Sequence, residues 1–159
     1  LIDRERDPLL RHRAWHLPTR LLHPALRDGA SPMTRLDLEA MHRAAAQLLG
    51  THDFRAFRSA DDDRDNTMRT LHSLELTPAF QGDPRLLALT VRGSAFMKNM
   101  VRILSGTLLE VGRGKLPPDR IPNLLGPLAK RENAGQTAPP EGLTLLEVRL
   151  GRQDVATLA

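Results

Sequence analysis

One segment constrains this chain more than any other: Ala95-Phe-Met-Lys-Asn-Met-Val-Arg-Ile-Leu-Ser-Gly-Thr-Leu-Leu-Glu-Val-Gly-Arg-Gly114. An alternating run from Leu86 to Arg92 precedes it and glycines close it, so it reads as a strand feeding a helix that stops near Gly112. Phe96, Met100, Leu104 and Leu108 recur at every fourth position, while Met97, Val101 and Val111 widen the apolar surface. Lys98, Arg102 and Ser105 form one narrow polar line. A helix apolar on most sides is a central helix, and a cation kept on its one polar line must pair with an anion or face a cleft. A solvated arginine, a structural ion pair and a contact to an active-site carboxylate or phosphate all fit Arg102. Periodicity does not choose among them.

The flanking chain supplies what such a helix must bury against. Asp37 is a good N-cap, Glu39 lies in the first turn, and Leu38, Met41, Ala45, Leu48 and Leu49 form an apolar stripe ending at Gly50. In Thr51-His-Asp-Phe-Arg-Ala-Phe-Arg58, His52 and Asp53 are neighbours that point in different directions, so Asp53 reads as a cap or hydrogen-bond acceptor rather than half of an acid–base pair. Asp61 to Asn66 reads as a solvated acidic loop without the pattern of a calcium-binding loop. Met68–Leu76 and Leu86–Arg92 read as two strands of a hairpin with a longish loop. Beyond the central helix, Ile121, Leu124, Leu125 and Leu128 suggest a short helix interrupted by Pro127. Residues 133–142 form a loop, and alternation from Leu145 to Leu150 predicts a last strand.

The resulting class is α+β: an antiparallel sheet with helices packed on one face. Three parts are expected, an extended arm over 1–35, an α+β domain over 36–150 and a tail over 151–159. The arm carries Pro8, Pro18, Pro24 and a lone Trp15 that would anchor it. His12 and His16 have metal-ligand spacing but lack an accompanying carboxylate, and the prolines argue against a helix there, so no metal site is expected.

Composition narrows the function. The formal net charge is +4, and arginine makes up 20 of the 23 basic residues, leaving Lys98, Lys115 and Lys130. Arginine suits bidentate phosphate contacts, so the balance permits a nucleic-acid partner without requiring one. There is no cysteine, which excludes disulfides and thiolate metal sites and agrees with a reducing cytoplasm. No apolar run has membrane-spanning length. Nucleophile elbow, phosphate-binding loop and dinucleotide fingerprint are all missing, since Gly112-Arg-Gly114 follows a helix instead of opening one. Because the chain opens at Leu1, it is expected to be a fragment whose natural beginning lies upstream.

Three blocks resemble the C-terminal half of the tRNA pseudouridine synthase A family. They are Leu49-Gly-Thr-His-Asp-Phe-Arg-Ala-Phe57, the stretch from Gly93 through Met100-Val-Arg102 to Gly112, and Ala134-Gly-Gln-Thr-Ala-Pro-Pro-Glu-Gly-Leu143. They occur in the family's order, at about its spacing, across most of the chain. The resemblance implies an isomerase of uridines in the tRNA anticodon stem-loop, which breaks the C1′–N1 bond and rejoins the ribose at C5. It implies no cofactor, no nucleotide and no metal, a cytoplasmic homodimer, and two similar α+β halves joined across a basic cleft.

Carried over residue by residue, the resemblance makes Arg102 the partner of a catalytic aspartate. That pairing would keep the carboxylate ionised in a dry site. It makes Leu143 the leucine that packs on the target base. Lys98, Arg92 and Arg113 are weaker candidates for phosphate contacts. The family's Gly-Arg-Thr-Asp-x-Gly-Val-His motif has no match here, and its stacking tyrosine has none either, because the chain has no tyrosine. The aspartate is therefore expected from a missing N-terminal half, and this chain by itself is expected to be inactive. The alternatives are a non-catalytic RNA-binding module or a dimerisation module on the same scaffold.

Overall fold

A computed structural model describes residues 36–83 and 86–148, together with the backbone of a strand at 19–22. Expectations for Trp15, His12, His16, the rest of the arm, residues 149 and 150 and the tail lie outside the described residues.

The elements run β1 (Thr19–Leu22), α1 (Leu38–Gln47), β2 (Gly50–Asp53), β3 (Met68–Pro78), β4 (Leu87–Gly93), α2 (Met100–Gly112) and β5 (Leu143–Leu145). Short 3-10 turns fill the connections at Arg55–Phe57, Phe80–Gly82, Pro118–Leu124, Arg131–Asn133 and Pro140–Gly142. The strands form one sheet in the order β2-β3-β4-β1-β5, every neighbouring pair antiparallel. The class is α+β, as the periodicities predict.

Alternation along the hairpin decides which face is covered. Leu74 and Leu76 of β3 and Leu87, Leu89 and Val91 of β4 enter the core with the helices, whereas Glu75, Thr77 and Arg92 stay exposed. The α1 helix begins as its sequence signals. Asp37 caps it by accepting a hydrogen bond from the Ala40 amide at 2.8 Å, and Met41, Ala45 and Leu48 are buried. Its origin is tied to the end of α2, where the Asp37 amide donates to the Gly112 carbonyl at 2.8 Å. The two helices approach so closely there that a Cβ on Gly112 would lie 2.4 Å from the Met41 sulfur. A larger residue at that crossing would have to displace the buried Met41 side chain.

Four expectations change. The segment predicted to be an arm supplies β1, which pairs with both β4 and β5 and so lies inside the sheet. Among the described residues the last strand is Leu143–Leu145, paired with β1 with Leu21 opposite Leu143, and residues 146–148 are not in a strand. The minor helix is a 3-10 turn ending at Leu124, before Pro127, and Leu128 is almost fully exposed. The acidic loop is not simply solvated, since Asp62 is 7 % exposed and serves as an internal acceptor.

Candidate functional site at the start of the central helix

The α2 helix is buried along its whole length except at Arg102 and Glu110, two turns apart on one face. Between them sits Gly106, and the segment 134–138 crosses the helix there. A Cβ on Gly106 would lie 1.6 Å from the Gln136 carbonyl oxygen, and one on Gly135 would lie 2.5 Å from the Thr107 Cα. Two facing glycines therefore let two backbones touch. Polar contacts hold the crossing. The Gly135 amide donates to Thr107 Oγ1 at 2.9 Å, and the Gln136 amide donates to Glu110 Oε1 at 3.0 Å. From the other side Arg131 donates to the Gly135 carbonyl at 2.9 Å and to Thr137 Oγ1 at 3.0 Å. Burial pushes the Arg131 guanidinium down from its ordinary pKa, and the nearby Glu110 charge pushes it up.

This strap ends at Arg102. The Arg102 Nε donates to the Ala138 carbonyl at 2.7 Å, and Nη1 donates to Asn99 Oδ1 at 2.9 Å. No carboxylate among the described residues pairs with Arg102, and Nη2 makes no hydrogen bond to them. The result is a guanidinium held at two points, with Nη2 uncommitted among the described residues. After Ala138 the chain turns once through Pro140–Gly142 and begins β5 at Leu143, which packs partly exposed against the core. Arg102 and Leu143 are thus linked through one short, anchored strap.

The remaining predicted residues scatter. The polar line through Lys98, Arg102 and Ser105 dissolves, because α2 starts at Met100 and Lys98 precedes it. Ser105 is buried and donates to the Val101 carbonyl at 2.7 Å, which makes it structural. Lys98 Nζ pairs with Asp61 at 2.5 Å, raising the lysine pKa and lowering that of the aspartate. Arg92 is exposed on the sheet face turned away from the helices. Arg113 caps the far end of α2, eleven residues and hence about 16 Å of helix rise from Arg102.

Asp53 keeps the role its sequence context suggests. It accepts from Thr67 Oγ1 at 2.5 Å, from the Arg55 amide at 3.0 Å and from the Arg55 guanidinium at 2.8 and 3.0 Å. The same stretch contributes Phe54 and Phe57, fully buried and edge-to-face at 5.8 Å.

Sequence reasoning missed Asn99, Gly106, Thr107, Glu110 and Arg131. Gly106 was the available signal, since a glycine inside so apolar a helix marks a close backbone approach. Among the described residues no three His, Cys, Asp or Glu side chains converge to hold a metal ion. No helix among them is long and apolar enough to cross a membrane.

Comparison with known proteins agrees with the three sequence blocks. A family model described as tRNA pseudouridine synthase matches residues 44–150. The tRNA pseudouridine synthase A of Geobacter sp. (strain M21) is 40 % identical over 148 residues, covering 93 % of this chain and 52 % of the relative. That of Myxococcus xanthus is 48 % identical over 113 residues, covering 71 % and 41 %. That of Bacillus pumilus (strain SAFR-032) is 46 % identical over 114 residues, covering 72 % and 44 %. The chain spans about half the length of the curated relatives it matches. By the family match and by these relatives, the chain belongs to the tRNA pseudouridine synthase A family.

Proposed function

We propose that this chain is the C-terminal half of an enzyme that converts uridines of the tRNA anticodon stem-loop to pseudouridine, with the catalytic aspartate supplied by an N-terminal half. The observation that carries the reading is Arg102, a half-buried cation whose Nε and Nη1 are committed to Ala138 and Asn99 while Nη2 is uncommitted among the described residues. A carboxylate arriving there would meet a donor already oriented and partly desolvated. Such a pairing lowers the carboxylate pKa and keeps it ionised. The reaction breaks the C1′–N1 glycosidic bond and forms a bond from C1′ to C5 of the same base, while the C5 proton leaves and N1 takes up a proton, so substrate and product are isomers and no cofactor is invoked.

Leu143 is proposed to pack against the target base, carried there by the strap that Arg102 ends. Arg92, exposed and without a side-chain partner among the described residues, is the better phosphate contact. Lys98, already paired with Asp61, is the weaker one, and Arg113 would serve a contact at the other end of α2. The α+β domain, with β1 part of its sheet, the homodimer and the cytoplasmic location belong to the same proposal.

The test is pseudouridine formation on an anticodon stem-loop transcript by the complete protein and by its Arg102→Ala variant. The expected result is conversion by the first and a loss of at least about a hundredfold in the second. This chain alone is expected to convert nothing. Salt-dependent tRNA binding by a complete protein that makes no pseudouridine would overturn the reading in favour of a binding module.

A further inference from the structure

We infer that Asn99 is a positioning residue, whose side-chain amide sets the orientation in which the Arg102 guanidinium receives a carboxylate. The inference rests on the reading of Arg102 proposed above. Asn99 occupies the N-cap of α2 in a left-handed backbone conformation, φ 59° and ψ 6°, which non-glycine residues adopt uncommonly. An asparagine at an N-cap ordinarily spends its oxygen on the amides of the first helical turn. Here it makes no such bond. Its Oδ1 accepts from Arg102 Nη1 at 2.9 Å, and its Nδ2 donates to Ser59 Oγ at 3.3 Å.

Residue 99 is itself held in place. The Ser59 amide donates to the Lys98 carbonyl at 3.1 Å, and the Lys98 amide donates to Asp62 Oδ2 at 3.0 Å. The other Asp62 oxygen accepts from the Arg64 amide at 3.3 Å and forms an ion pair with Arg64 Nε at 3.2 Å. Arg64 in turn reaches the Phe96 carbonyl at 3.4 Å, and Asp61 holds the Lys98 ammonium. The loop from Ser59 to Arg64 thus holds Phe96 and Lys98, just before Asn99, by main chain and side chain alike. Asn99 transmits that fixed position to the guanidinium. With Nε on Ala138 and Nη1 on Asn99, the guanidinium plane is defined by two separate elements, and Nη2 projects in one direction. Loss of the Asn99 contact leaves Arg102 charged and present but free to turn about the remaining bond.

The experiment uses the complete protein and an anticodon stem-loop transcript. Asn99→Gly removes the amide while keeping a residue that adopts the left-handed backbone without strain. It is expected to lower kcat about tenfold, as misplacement of a reacting group does, with KM for RNA and the thermal midpoint unchanged. Asn99→Asp places a carboxylate within reach of Arg102 and is expected to lower kcat further, by capturing the guanidinium. Combining Asn99→Gly with Arg102→Ala is expected to cost nothing beyond Arg102→Ala alone, because the two residues act as one unit. Wild-type kcat in Asn99→Gly, or a fully additive loss in the double variant, overturns the inference. If Arg102→Ala abolishes turnover while Asn99→Gly does not change it, only the inference fails. If the unmodified complete protein makes no pseudouridine, the functional reading fails and the inference with it.

Discussion

Arg102 and Ala138 are bonded to each other twice: the Arg102 Nε donates to the Ala138 carbonyl at 2.7 Å, and the Ala138 amide donates to the Arg102 carbonyl at 3.1 Å. One residue of α2 therefore holds the strap with both its side chain and its main chain. Anything that lifts the strap disturbs the guanidinium, and anything that removes the guanidinium frees the strap that leads to Leu143.

That coupling makes Arg102→Lys a sharper test than Arg102→Ala. Lysine keeps the charge but has no fork, so it cannot bond Ala138 and Asn99 while presenting a third nitrogen. Both substitutions are expected to reduce turnover by about a hundredfold or more in the complete protein. Arg102→Ala also leaves the Ala138 carbonyl without its side-chain donor, which costs about 1–2 kcal/mol of stability. Steady-state kinetics and urea unfolding on the two variants check this.

Gly106→Ala sets two effects of opposite sign against each other. In an exposed helix the change stabilises by about 1 kcal/mol. At Gly106 the new Cβ falls 1.6 Å from the Gln136 carbonyl oxygen, a main-chain atom that cannot rotate away. Overpacking of this kind costs about 1–3 kcal/mol or more, so net destabilisation is expected. Turnover should fall with it, since the strap must leave α2. Thermal unfolding gives the sign directly.

Asp53→Asn is expected to destabilise by about 1–3 kcal/mol at neutral pH, the range for hydrogen bonds to a charged group. Burial alone would raise the Asp53 pKa, but bonds from Arg55 and Thr67 outweigh it and hold the carboxyl below its ordinary 3.8. A carboxyl with a depressed folded pKa adds stability above its unfolded pKa and loses it as pH falls through the folded value. The gap between wild type and variant should therefore be full at neutral pH and shrink below pH 3.8. Denaturant titrations across that window check the sign.

For RNA binding, Arg92→Ala is expected to weaken tRNA affinity and to reduce the salt slope by about one unit, as loss of one phosphate contact does. Lys98→Ala should have a smaller effect, because its ammonium is already matched by Asp61. Affinities measured at two salt concentrations compare the pair. A larger effect from Lys98 would make it, and not Arg92, the phosphate contact.

Much of the fold was legible in the chain because local physics carries it. The Asp37 cap, the stripe of α1 and the alternation of β3 and β4 each lie within a single element, and each is found within a few residues of its predicted bounds. The errors fall where a distant segment decides. Lys98 fits a helical pattern, yet the left-handed Asn99 begins α2 after it, in a conformation held by the loop from Ser59 to Arg64. Asp62 lies in a run of aspartates that any local reading leaves in water, but it serves as the buried acceptor of the Lys98 amide.

By itself, then, the sequence determined the α+β class, the burial of the central helix and the identity of Arg102 as the cation that burial cannot hide. These follow from periodicity and from the desolvation cost of a charge, both readable from neighbours along the chain. Only the tertiary structure decided what Arg102 touches, why Gly106 and Gly135 must be glycine, and where the last strand pairs. Apart from the Arg102 bond to neighbouring Asn99, each depends on segments more than twenty-five residues apart meeting in the fold, and no local pattern encodes a partner that far away.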